Sequence, residues 1–336
     1  MVLTDKLAAP PPDRGRRWAI GACLAVPLVA GAALAARRVR AALVGAGGLA
    51  DGRVEVSATG GFPRRLHGPA GEVWTLPRAP RRIVSTYLAA DEILAALDVR
   101  DRIAGVSIFA DDPAISNVRG VYPLSLPRLR GEVEGILAVE PDLVCVAGYS
   151  DADAMRQAIG ARLPILRWSR FDSFADVFAN VRLIGAAVGA DAAAEALAAN
   201  GEARLGELAA RLEGVRPVRV LYLDPPNFTA GSHTLLDEIL TRAGGVNVAA
   251  KAGISGAGPI GIDLGLSLDA EAIIAPAYPG AAPPLEALRA TPLWRELGPV
   301  RAGRVNAVPA ALPGDVSPHA VEAPFLVARA LHPDRF

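Results

Sequence analysis

The chain has 336 residues, 51% of them hydrophobic, enough for two ordinary domains with buried cores once an N-terminal segment is set aside. Lys plus Arg and Asp plus Glu balance at 35 each, so no global field recommends nucleic acid or a strongly charged partner. The two cysteines, Cys23 and Cys145, cannot build a disulfide framework, and Cys145 inside Leu143-Val144-Cys145-Val146 reads as a small buried hydrophobe.

Lys6, Arg14, Arg16 and Arg17 precede an uncharged run from Trp18 to Ala36 that is long enough to span a bilayer. Arg37, Arg38 and Arg40 follow at once, so a cleaved export signal and an uncleaved membrane anchor both fit. Arg16-Arg17 matches a twin-arginine signal loosely, and Ile20-Gly21-Ala22-Cys23 has most of its apolar run after the cysteine, unlike a lipoprotein box. Residues 1–50 are thus read as signal or anchor plus spacer, with the remainder in the periplasm or on the outer face of the cytoplasmic membrane. Within the spacer, Ala42 to Ala50 imitates a dinucleotide-binding G-x-G-x-x-A turn. The following Asp51-Gly52-Arg53-Val54-Glu55-Val56 reads as loop and strand, so no helix N-terminus is offered to a pyrophosphate.

A Gly-rich, Arg-dotted stretch leads to the strand Arg82-Ile83-Val84-Ser85 and a helix from Ala89 to Leu97 with Ile93, Leu94 and Leu97 on one face. Ile103 to Val106, Leu143 to Ala147 and Ile165 to Trp168 are further short strands, separated by helical stretches at 133–138 and 152–159. Such alternation predicts a mainly parallel sheet covered on both faces. Ser173-Phe174-Ala175-Asp176 is a capping-box pattern opening about forty helical residues that end at Gly214-Val215-Arg216-Pro217. A second series follows: strand Val218 to Leu223, helix Leu235 to Ala243, strands at Ala272 to Ala275 and Arg304 to Val308. The expected architecture is two doubly wound α/β lobes, 51–172 and 216–336, joined by a long helical segment over 173–215.

The order of these pieces resembles the iron-siderophore and vitamin B12 substrate-binding proteins of ABC importers. The resemblance is carried by Arg81 to Ser85 with Asp91-Glu92-Ile93-Leu94-Ala95-Ala96-Leu97, then Ile103-Ala104-Gly105-Val106-Ser107, and Glu134 to Val144 with its Pro141-Asp142-Leu143-Val144 strand start. Thr229-Ala230-Gly231-Ser232, Ala243 to Val248, and Trp294-Arg295 with Val300 to Val305 continue it, so that it covers residues 60 to 336. The resemblance implies a class III periplasmic-binding-protein-like fold, two lobes bridged by a rigid helix and a ligand in the cleft between them. It also implies docking on a membrane permease dimer powered by a cytoplasmic ATPase, and no catalysis; a monomer is expected.

Parallel-strand carboxyl ends border ligand crevices, and flat chelates are gripped by aromatic stacking plus a few polar groups. Tyr87, Phe109, Tyr149 and Trp168 follow or end strands in the first lobe, and Phe228 and His233 are candidates in the second. By family spacing, Phe109 and Trp168 fall on positions that are aromatic in cobalamin receptors, whereas Arg128 stands where those carry tryptophan and suits an anionic siderophore. A heme receptor of the same fold would use Tyr87 or Tyr149 as axial ligand. His67, His233, His319 and His332 lack close pairing, so a metal is expected to arrive already chelated, with none bound directly. Asp91 and Glu92 read as helix-start carboxylates favouring the dipole. No Ser-His-Asp or Cys-His set and no Gly-x-Ser-x-Gly stands out, which leaves an exported α/β enzyme as the weaker alternative. Glu134 and Asp263 each lie seven residues before the start of a corresponding strand segment, and the resemblance implies that both pair with permease arginines.

Overall fold

The computed structural model describes residues 53–55, 61–67, 73–147, 163–168 and 170–336. The apolar run at 18–36, the helix expected at 152–159 and Tyr149 lie outside the described residues. Among the described residues no helix is long and apolar enough to cross a membrane.

The Gly-rich, Arg-dotted stretch before Arg82 is partly folded, and the loop and strand read at 51–56 supplies its first strand. β1 (Arg53–Glu55), β2 (Arg64–His67) and β3 (Val73–Leu76) form an antiparallel sheet, and alternation in β2 and β3 sends Leu66, Trp74 and Leu76 into the core. Arg64 is buried too. Its guanidinium grips Asp191 with bonds of 3.0 and 2.7 Å and donates to the Ala186 carbonyl at 2.5 Å, so the buried charge is paired.

Next come β4 (Ile83–Ser85), α1 (Leu88–Ala96), β5 (Ile103–Ser107), β6 (Arg128–Leu129), α2 (Val133–Ala138), β7 (Leu143–Ala147) and β8 (Ile165–Trp168). The five strands are parallel, in the order β6-β5-β4-β7-β8. The central runs are apolar throughout because both faces of the sheet are covered; Leu143, Val144, Cys145 and Val146 are all fully buried.

The helical run predicted over 173–215 is two helices, α3 (Phe174–Val188) and α4 (Asp191–Arg211). Ser173 caps the first, accepting from the Asp176 amide, and Gly189 at φ +73° closes it in the left-handed conformation. The helices approach closely: a Cβ added at Gly185 would sit 2.3 Å from the Ala194 Cβ. Phe174, Val177 and Phe178 pack into the C-terminal core and Val181, Ile184, Ala187 and Val188 into the N-terminal one, so this hairpin belongs to both.

The C-terminal half adds β9 (Val218–Tyr222), β10 (Phe228–Ala230), α5 (Leu235–Arg242), β11 (Gly245–Asn247), α6 (Val248–Lys251), β12 (Ala257–Pro259), α7 (Ile262–Ser267), β13 (Ala272–Ala277), α8 (Pro284–Ala290), α9 (Gly298–Arg301), β14 (Val305–Pro309) and α10 (Glu322–Leu331). Its main sheet is parallel in the order β11-β9-β13-β14, and β10 with β12 makes an antiparallel ribbon. Four strands thus repeat: β5-β4-β7-β8 has the same connectivity as β11-β9-β13-β14.

The repeat extends to hydrogen bonds. The Asp142 amide donates to the Arg82 carbonyl while the Asp142 carboxylate accepts from the Arg81 and Arg82 amides. Glu271 does the same with Arg219, its amide donating to that carbonyl and its carboxylate accepting from that amide at 3.0 Å. Each arginine returns a bond to the loop before its partner, Arg82 to Glu140 O and Arg219 to Asp269 O. These clamps fix the ends of α2 and α7 against equivalent strands.

Candidate functional site

The carboxyl ends of β4 and β5 are organised around a buried carboxyl. Asp91 accepts from the Ser107 hydroxyl at 2.6 Å and from the Ser107 amide at 3.2 Å, and Tyr122 donates its phenol to the Asp91 carbonyl. Burial, partly offset by the Ser107 and Ser85 hydroxyls, pushes the Asp91 carboxyl up to about 8, so it is largely neutral at pH 7. Ser85, beside it, donates to the Tyr87 carbonyl at 2.9 Å and so fixes where Tyr87 leaves the strand. Tyr87 and Phe109 are half-buried at these two strand ends. Asp91, read with Glu92 as a helix-start carboxylate, does stand in the first turn of α1, and both are buried, at 0% and 1% exposed.

Glu92 joins the two halves of the chain. Its Oε1 accepts from the Asn117 amide at 2.8 Å and side chain at 3.2 Å, and the same Asn117 Nδ2 reaches Asp315 Oδ2, in the loop after β14, at 3.1 Å. Asp315 also accepts from the Ser317 amide and hydroxyl. Burial first, and the Glu92 charge beside it, hold the Asp315 carboxyl well above the usual carboxylate range.

At the ends of β9 and β13, Tyr278 donates to Asp224 Oδ2 at 2.8 Å. Burial raises Asp224 against the pull of that phenol bond. Phe228 is tied to the same place, exchanging reciprocal 2.8 Å backbone bonds with Asp224. His233 is exposed, at φ +60°, with Nδ1 3.2 Å from Ser232 Oγ and 3.5 Å from Ser255 Oγ.

The structure therefore sets Tyr87 and Phe109 on one sheet's carboxyl edge and Phe228 on the other's. Trp168 ends β8, with its side chain outside the described part, as Tyr149 is entirely. Arg128 is turned onto its own half: it pairs with Asp111 at 2.7 Å and donates to the Pro123 and Leu126 carbonyls, so an incoming anion would have to compete with Asp111. That bond holds the Asp111 carboxyl below its ordinary range. Asp224 and Tyr278 escaped the sequence reading, although Tyr278 directly follows a strand, the same signal that singled out Tyr87. Glu134 and Asp263 are exposed in the first turns of α2 and α7, at equivalent places in the two halves. Among the described residues no cluster of three or more His, Cys, Asp or Glu side chains is arranged to hold a bare metal ion. A cavity of about 160 Å³ beside the helical hairpin, lined by Asn200, Arg204, His319 and Glu322 among others, contains none of the candidate residues, and Arg204 there is already paired with Glu322.

A family model described as periplasmic binding protein matches residues 83–312. An uncharacterized ABC transporter substrate-binding lipoprotein of Bacillus subtilis, YvrC, is 25% identical over 284 residues, covering 82% of this chain and 87% of that protein. A cobalamin-binding protein of Halobacterium salinarum is 27% identical over 192 residues, 56% of this chain and 52% of its own length, so that match spans about half of it. Among solved structures, the periplasmic heme-binding protein RhuT of Roseiflexus superposes with a TM-score of 0.63 at 24% identity, covering 76% of this chain and 99% of that one, a likeness of fold.

Proposed function

Because the chain belongs to the periplasmic binding protein family, the extracytoplasmic substrate-binding proteins of ABC transporters, we propose that it captures a metal chelate, a ferric siderophore or a cobalamin, and delivers it to a membrane permease driven by an ATPase. The observation that carries this reading is the pairing of aromatic and hydrogen-bonding groups on both carboxyl edges, Tyr87 and Phe109 on one and Phe228 with the Tyr278–Asp224 pair on the other. Flat, polar-rimmed ligands need that mixture. The partial match to a cobalamin-binding protein supports the corrin branch of the proposal. Glu134 and Asp263 are assigned to docking, as acids that pair with basic groups of the permease. Heme is the second reading, favoured by the fold shared with RhuT.

Isothermal titration of the full chain with ferric hydroxamate and catecholate siderophores, cobalamin and hemin tests the proposal. One of them is expected to bind one-to-one without chemical change, and Phe228→Ala is expected to weaken it. Binding of hemin alone would move the ligand to the second reading. Binding of a bare oxyanion such as molybdate, with none of the chelates, would overturn the chelate assignment.

A further inference from the structure

The two acidic surface helices share more than their acids. Eight large hydrophobic residues are exposed among the described residues, and three of them, Leu137, Leu264 and Leu266, sit on α2 and α7, which together hold twelve residues. Leu137 is 43% exposed and Leu266 38%. Each lies three residues after its acid, Glu134 or Asp263, and residues three apart share a helix face. Leu264, 40% exposed, stands where α2 has Gly135. The Arg82–Asp142 and Arg219–Glu271 clamps hold both helices at equivalent points of the two sheets, so the acid-and-leucine pair is displayed twice on one framework.

We infer that Leu137 and Leu266 are the apolar half of a two-point docking surface, each seating in an apolar pocket of the permease beside the basic group that takes the neighbouring acid. This rests on the docking role proposed for Glu134 and Asp263 and extends it. The chemistry divides the labour. A rim charge pair steers and orients but is screened by salt. A leucine closed off from water holds in any salt. Because the pair is repeated, the partner must offer two like pockets, each edged by positive charge. That excludes a partner that is uniformly basic or uniformly apolar. Leu264 widens the second contact.

The test is binding of the full, chelate-loaded chain to the permease–ATPase complex in nanodiscs at low and high salt, with circular dichroism confirming that each variant is folded. Leu137→Asn with Leu266→Asn is expected to weaken binding about tenfold per site at both salt concentrations, a loss that sets contributing interface residues apart from near-neutral ones, leaving chelate affinity unchanged. Glu134→Ala with Asp263→Ala is expected to weaken it chiefly at low salt. Wild-type binding by the leucine variant, with loss in the acid variant, overturns the inference and leaves the docking role standing. Wild-type binding by both variants overturns the docking role and the inference together. A dimer of the chain alone that the leucine variant abolishes reassigns the surface to a second copy and also overturns the inference.

Discussion

The tetrapeptide Asp-Glu-Ile-Leu occurs twice, at 91–94 in α1 and at 237–240 in α5, the helices that follow the first main strand of each half. Its apolar pair behaves identically: Ile93 and Leu94 are fully buried, and Ile239 and Leu240 are within 1% of it. Its acids diverge. Asp91 meets Ser107 at the end of β5 and is buried; Asp237, at the equivalent place, accepts from Asn247 at the end of β11 at 2.9 Å and is half-buried. Glu92 reaches across to Asn117 beside Asp315, and Glu238 accepts from the Phe174 amide at the start of the helical hairpin. The apolar pair sets where a helix docks, while the chemistry of an acid is set by what the neighbouring strand end and the opposite half present to it.

The largest effect should come from the apolar pair. Leu94→Ala and Leu240→Ala should each cost about 2–5 kcal/mol, the usual range for a fully buried leucine, and urea denaturation should show the two costs to be similar. A twofold disparity would mean that the helices are not equivalent supports.

The acids should then respond with opposite signs. A neutral Asp91 in the folded state faces an ionised one in the unfolded chain, so between the unfolded value of 3.8 and the folded value of about 8 the folded state holds the extra proton and stability falls as pH rises. The contribution is fully present below the unfolded value and gone above the folded one. Asp91→Asn, which keeps the neutral shape, should therefore raise stability at pH 7, by on the order of 4 kcal/mol at 1.36 kcal/mol per pH unit, and flatten the decline from pH 5 to 8 in melting temperature. Asp237→Asn should instead lower stability by about 1 kcal/mol, by weakening a charge-assisted bond. A loss at both sites would sink the neutral assignment of Asp91.

Beneath the acidic helices the two halves fill the same space differently. Ile136 of α2 is fully buried, whereas α7 has Gly265 at the equivalent place and leaves the room to Trp294, whose ring carbons lie 2.5 and 2.6 Å from where a Cβ would stand. Gly265→Ala should cost about 1–3 kcal/mol by overpacking, and adding Trp294→Leu should recover part of it; strict additivity in the double-mutant cycle would show that the two do not share one site.

The apolar strands, the cap at Ser173 and the bounds of α2 were legible because each follows from local pattern. Of the small antiparallel sheet only β1 was, within the loop and strand read at 51–56, since Arg64 and Arg65 hide the alternation around Leu66 and the pairing of Arg64 with Asp191 is 127 residues distant. The repeated Asp-Glu-Ile-Leu was in plain view, but the different surroundings of its acids depend on Ser107, Asn117 and Asn247, which only the folded chain brings near. The Tyr278–Asp224 pair spans 54 residues and is invisible for the same reason. Arg128 was legible as a cation but not as one already engaged by Asp111.

The smallest effect separates stability from ligand binding at one residue. His233 lies at φ +60° just before Thr234, whose side chain caps α5, while Thr86, which stands just before the first-half N-cap residue Tyr87, has no positive φ. A left-handed conformation costs an L-residue roughly 1–2 kcal/mol, and glycine relieves it at the expense of a more flexible unfolded chain, so His233→Gly should raise stability by up to about 1 kcal/mol. Such strain persists where a side chain is held for use. The imidazole is exposed and leans on the Ser232 and Ser255 hydroxyls, contacts whose loss costs little. If His233 contributes to chelate capture, the same substitution should lower chelate affinity severalfold while the melting temperature rises. A fall in melting temperature would show that the conformation is not strained, and unchanged affinity in a stabilised variant would remove His233 from the binding site while leaving Phe228 and the Tyr278–Asp224 pair as the C-terminal half's contribution.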